Sequence, residues 1–120
     1  MVIFVCVRCS QRLTGGLVEV PLPPPVNEEL RGPREFLPTR MPQGTFAIAP
    51  EIGGFVLCPD DLTGVDLHPD SRRRNGCCGL DGLDGPNLIC AGCGAEVATK
   101  QSDCWSQQQV TLLPAAVRRR

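Results

Sequence analysis

The chain has no tyrosine, one tryptophan and four phenylalanines in 120 residues. Large rings supply much of the buried area of an ordinary core, so their scarcity excludes a big, well-packed interior. An excess of charge of one sign is also missing. The formal net charge is −1 and the pI about 5.8, so no broad basic field draws phosphate backbones. Two short basic runs, Arg72-Arg73-Arg74 and Arg118-Arg119-Arg120, read as a solvated loop and a frayed tail at 118–120. Long apolar runs are absent too. The opening Met1-Val2-Ile3-Phe4-Val5-Cys6-Val7 meets Arg8, too soon for a signal peptide or a membrane span. The expectation is a cytoplasmic protein, with no membrane association and reduced thiols.

What is present is glycine (13), proline (12) and cysteine (8). A short, loop-rich chain with few large apolar side chains needs a staple. In a reducing compartment, cysteines gathered in close pairs point to metal rather than disulfides.

The pattern along the chain is mainly β with little helix. Val2 to Val5 reads as a buried strand, and Leu17-Val18-Glu19-Val20 as its return after a Gly15-Gly16 turn. Residues 21–44 hold most of the prolines and read as an irregular insertion with at most one helical turn, at residues 27–31. Residues 45–49, 54–57, 87–89, 96–99 and 109–113 read as further strands. Residues 59–76 are polar, with a helical turn near Asp60-Asp61-Leu62, and the four glycines in 76–86 require a tightly turned loop. The whole, residues 1–117, is expected to be one metal-stapled domain, small and zinc-ribbon-like, with long irregular loops.

Cys6-Val7-Arg8-Cys9 and Cys90-Ala91-Gly92-Cys93 are both C-x-x-C turns. Two intervening residues let a tight turn place both sulfurs on one side of a metal, and four sulfurs close a tetrahedral zinc shell. Gly94, just after the second pair, suits the left-handed turn of such a knuckle. Redox C-x-x-C sites need a strand–helix context that is not found here. About eighty residues separate the pairs, which logarithmic loop entropy tolerates. Cys77, Cys78 and Cys104 leave two arrangements open. Either the knuckles share one zinc and these three gather nearby, or each knuckle anchors its own zinc, Cys90 and Cys93 with Cys104 and one of the vicinal pair, Cys6 and Cys9 with partners among Cys58, His68 and the other vicinal cysteine. The expected cofactor is therefore Zn²⁺, one ion or two. Cys58 closes an apolar strand and reads as core, and His68 reads as a surface residue. Asp81-Gly82-Leu83-Asp84-Gly85 lacks the ligand set of a calcium loop and reads as turns.

The segment Cys77-Cys78-Gly79-Leu80-Asp81-Gly82-Leu83-Asp84-Gly85-Pro86-Asn87-Leu88, then Cys90-Ala91-Gly92-Cys93-Gly94, Val97-Ala98-Thr99 and Asp103-Cys104, resembles a family of uncharacterised actinobacterial cysteine-rich proteins. Those proteins also open with a pair like Cys6 and Cys9. Cys58, His68 and residues 21–44 lie outside the shared pattern. The resemblance implies a metal-knuckle fold and a bacterial cytoplasm, and it brings no activity.

No H-E-x-x-H, deaminase signature, phosphate loop or nucleophile elbow is present, so an enzyme ranks last among the readings. First comes a zinc-held module that presents its loops to a protein partner. Second is a nucleic-acid-binding zinc ribbon using Arg8, Arg12 and the two arginine runs, disfavoured by the acidic pI and the missing aromatic platforms. Third is a metal or redox sensor built on Cys77 and Cys78.

Overall fold

The computed structural model describes residues 1–30, 36–51 and 53–120. Nine strands dominate the described residues: β1 (Phe4–Cys6), β2 (Val18–Glu19), β3 (Thr45–Ala49), β4 (Gly54–Leu57), β5 (Val65–Leu67), β6 (Leu88–Cys90), β7 (Glu96–Gln101), β8 (Gln109–Leu112) and β9 (Val117–Arg119). The helical content among the described residues is three single turns, Glu28–Leu30, Pro59–Asp61 and Ser71–Arg73. The fold is mainly β, as the alternation in the sequence predicts.

Seven strands form one sheet in the order β2-β3-β4-β8-β7-β6-β5, antiparallel except for the β2/β3 pair. β1 pairs with β9 in a separate ribbon, with Phe4 opposite Arg119 and Cys6 opposite Val117. On one face of the large sheet Phe46, Leu57, Leu88, Ala98, Val110 and Leu112 bury against Phe4, Leu13 and Leu17. Few rings are available, and three of the four phenylalanines meet here. Phe4 and Phe46 pack edge to face at 5.1 Å between ring centres, and Phe55 lies 4.9 Å from Phe4. On the opposite face Met41, Ala47, Ala49, Val56 and Cys58 pack together with Val20 and Leu22. Cys58 is thus a core residue, as expected.

Three expectations need correcting. Gly15-Gly16 is not the hairpin turn. The Cys6/Cys9 loop itself turns the chain, so that Leu13 donates to Phe4 O, and Val2 and Leu17 exchange backbone bonds. β2 then leaves to join β3. Described residues of 21–44, read as an insertion, pack onto the second face of the sheet, where Met41 is buried and Leu22 packs against the cluster around it. Leu37 and Met41 are buried, and the Arg40 guanidinium donates to Pro23 O at 2.8 and 3.0 Å. Of the turn expected at 27–31, Glu28–Leu30 forms a 3-10 turn, while Arg31 lies outside the described residues. Finally, Arg118 and Arg119 are not a tail but part of β9. The Arg119 guanidinium sits over the Phe46 and Phe55 rings, 5.5 and 5.1 Å from their centres, where a cation meets the negative ring face. β5 was hidden in the polar stretch 59–76, because two of its three side chains face solvent.

Candidate metal centre

β1 ends at Cys6 and β6 ends at Cys90, both buried, and each strand runs into a knuckle. The two knuckles repeat one another bond for bond. Ser10 N–H donates to Cys6 O (2.9 Å) and Gly94 N–H to Cys90 O (2.8 Å). Cys6 N–H donates to Gln11 O and Cys90 N–H to Ala95 O, both at 2.8 Å. Ser10 and Gly94, each directly after the second cysteine of its pair, are left-handed, at φ 65° and 79°. Ser10 is the one non-glycine residue with positive φ among the described residues. Its hydroxyl is held by Arg118 Nη2 at 2.8 Å.

The segment before and within β5 brings the knuckles face to face. Thr63 N–H donates to Leu13 O on the first hairpin, and Gly64 O accepts from Ala91 N–H in the second knuckle. A side chain at Gly64 (φ 68°) would collide with Arg12 O at 2.7 Å, and one at Gly92 would press on Cys9 Sγ at 3.1 Å.

The result is four sulfurs, of Cys6, Cys9, Cys90 and Cys93, all within 4.8 Å of one another. Cys6 and Cys93 are 3.6 Å apart, and Cys9 and Cys90 3.5 Å. A tetrahedral zinc with Zn–S of about 2.3 Å requires sulfur–sulfur edges of about 3.8 Å. The donor set therefore fits a zinc-sized ion in both number and spacing.

Thiol ionisation is strained in the way four crowded sulfurs require. Burial opposes the Cys6 thiolate, but N–H groups of Cys9 and Arg8 and the sulfurs of Cys93 and Cys90 outweigh it and bring the thiol down to about 7. At Cys9 the Gln11 N–H favours the thiolate, yet burial and the other three sulfurs push the thiol up to about 12. A divalent cation would relieve that competition, since it stabilises every thiolate at once.

Cys77, Cys78 and Cys104 form a second group, their sulfurs also within 4.8 Å of one another. Of the two arrangements open from sequence, the structure favours the one in which the knuckles come together, and the other three cysteines form a group of their own. Asp103, which sequence reasoning missed as a functional residue, organises this group. Its Oδ2 accepts from Cys77 N–H at 3.2 Å, and its Oδ1 from Cys78 N–H at 2.9 Å and Cys104 N–H at 2.8 Å. Those three donors, Cys78 first, hold its carboxyl down at about 2. The Cys78 sulfur raises the Cys77 thiol, and with burial and Asp103 it pushes Cys104 up to about 12. The one clue in the sequence was the adjacency of Asp103 and Cys104.

His68 joins neither sulfur group. Its Nε2 lies 2.9 Å from Glu96 Oε2, which also accepts from Arg73 Nη1 at 2.8 Å. Two groups of cysteines, then, can hold metal ions. No helix among the described residues is long and apolar enough to cross a membrane. Comparison with protein-family models, with curated proteins and with solved structures found no match to this chain.

Proposed function

We propose that the chain is a structural-zinc protein of a reducing, cytoplasmic compartment, held together at Cys6, Cys9, Cys90 and Cys93, which offers its loops to a protein partner. The carrying observation is the convergence of four sulfurs from two matching knuckles at the edge lengths of a zinc tetrahedron. A four-thiolate shell leaves no open position and is a poor Lewis acid, so its role is to join two hairpins. Sulfur ligands on β-knuckles suit zinc among the common divalent ions, and the resemblance to bacterial cysteine-rich proteins agrees.

A protein partner is favoured over nucleic acid because most of the arginines in and near the two basic runs have partners within the chain. Arg72 pairs with Asp70 and Arg73 with Glu96. Arg74 donates to His68 O, Arg12 to Thr14 O and Arg118 to Ser10. Meanwhile Leu83 is 81% exposed and Trp105 73%, both in the loops around the second cysteine group. Such exposed apolar side chains suit a protein contact.

Elemental analysis of protein purified without added metal tests the reading, together with thiol titration before and after chelation. The expected result is at least one tightly held zinc, with thiols that react only once the chelator has unfolded the chain. Metal-free, folded protein with few reactive thiols would overturn it. Binding to duplex or single-stranded DNA that weakens steeply with salt would replace the protein partner with nucleic acid.

A further inference from the structure

We infer that Cys77, Cys78 and Cys104 form a metal site of a different kind, an open three-thiolate site that takes an exchangeable zinc ion whose fourth position is filled from solvent. The inference is independent of the four-sulfur centre and stands on four observations.

The first is the donor count. Three sulfurs lie within 4.8 Å of one another, and the neighbouring carboxylate does not supply a fourth donor. Both oxygens of Asp103 accept from N–H groups of the three cysteines, Oδ1 also lies 3.5 Å from the Cys104 sulfur, and the atoms that lie within 4.8 Å of one another are the three sulfurs alone. Asp103 is a positioning residue, because one side chain fixes the backbone at every ligand. The second is access. Cys77 and Cys78 are exposed and Cys104 is partly so, leaving no buried member, whereas the four-sulfur group sets buried Cys6 and Cys90 beside half-buried Cys93 and exposed Cys9. Three protein ligands with a solvent-facing corner is the pattern of zinc sites that keep an exchangeable position.

The third is preorganisation. Leu80 O accepts from both Ser102 and Asp103 N–H, at 2.8 and 3.1 Å, and Leu80 N–H donates to Ser102 Oγ at 3.1 Å. Gly79 lies so close to this strand end that a Cβ there would meet Ser102 O at 2.5 Å. The loop is therefore locked to residues 102–104 without help from a metal. The fourth is charge. Zn²⁺ with three thiolates carries one net negative charge, beside the negative Asp103, which calls for a neutral fourth donor such as water. The soft sulfur set disfavours magnesium and calcium. Binding displaces the thiol protons to solvent and changes no oxidation state.

The test uses the full chain, reduced, loaded with zinc and desalted without oxygen, then chased with a chromophoric chelator. Two kinetically separate equivalents are expected, one released quickly and one slowly. Cys78→Ser should remove the fast equivalent and leave the slow one. Asp103→Asn keeps every ligand and should weaken the fast equivalent by about 10- to 100-fold, the usual effect of losing a residue that orients ligands. With cobalt in place of zinc, the spectrum lost in Cys78→Ser should shift on addition of imidazole, and the remaining spectrum should not. A single, slowly released equivalent in the unaltered protein, or two retained by Cys78→Ser, would overturn the site. So would a disulfide among Cys77, Cys78 and Cys104 after reduction. An imidazole-insensitive spectrum would overturn its openness, and unchanged affinity in Asp103→Asn the role of that residue. Loss of the slow equivalent alone would count against the four-sulfur centre and leave this inference standing.

Discussion

Cys6 and Cys90 stand at the ends of paired strands and are buried, whereas Cys77 and Cys78 stand in a glycine-rich loop and are exposed. Two sulfurs of the first group are placed by strand register, since Cys6 opposes Val117 and Cys90 opposes Val65, and the knuckle turns that follow carry the other two. Those of the second are placed by one carboxylate and a few loop bonds. Disturbing the first group therefore disturbs the sheet, while the second can change with the sheet intact. Similar ligands can thus serve very different ends, depending on whether the backbone beneath them belongs to the cooperative core.

The largest test of that contrast is removal of metal from the four-sulfur group. Structural zinc contributes on the order of 10–16 kcal/mol of apparent binding energy, comparable to the whole stability of a small domain, about 5–15 kcal/mol. Chelation, or Cys90→Ser, should abolish the sheet's dispersed amide spectrum, while Cys77→Ser should preserve it. A folded chelated protein would break the comparison. Next comes Phe46→Ala, which removes the ring between Phe4, Phe55 and Arg119. It should cost about 3–5 kcal/mol, read as a lower urea midpoint at unchanged slope.

Asn87→Ala should cost about 1–3 kcal/mol, because it leaves partly buried backbone groups unpaired. The Asn87 side chain accepts from Lys100 N–H at 2.7 Å and donates to Lys100 O at 2.9 Å, where β6 and β7 shift register. Gly94→Ala forces a side chain into left-handed backbone at φ 79° and should cost about 1–2 kcal/mol. Gly79→Ala sharpens the contrast from the other side: thiol-reagent rates at Cys77 and Cys78 should rise while the urea midpoint hardly moves. The smallest effect belongs to Ser10→Gly. Relief of left-handed strain and loss of the Arg118 bond should offset one another to within about 1 kcal/mol.

The sequence made β3 and β4 legible to the residue, because Thr45–Ala49 and Gly54–Leu57 are apolar and bounded by glycine and proline. It made the two knuckles legible because C-x-x-C spacing is a local property. It hid β9, since arginines ordinarily mark solvent and only the placement of Phe46 and Phe55 makes Arg119 a packing residue. It left the partnership of the knuckles as one of two arrangements, because that pairing depends on Thr63 and Gly64 bridging them from a polar segment. Asp103 was illegible for the same reason. Its three partners span residues 77 to 104, and no window of sequence shows that one carboxylate serves them all.

The pairing of Cys9 with Cys90, 81 residues apart, has a consequence for how the chain is made. Translation proceeds at roughly 5–20 residues per second, so the first knuckle emerges about 4–16 seconds before its partner exists. During that interval Cys6 and Cys9 are a bare dithiol on a nascent chain, unable to close a shell. The protein is born with its first half waiting, and whatever guards those two sulfurs from oxidation or from a stray metal acts before there is any fold to protect.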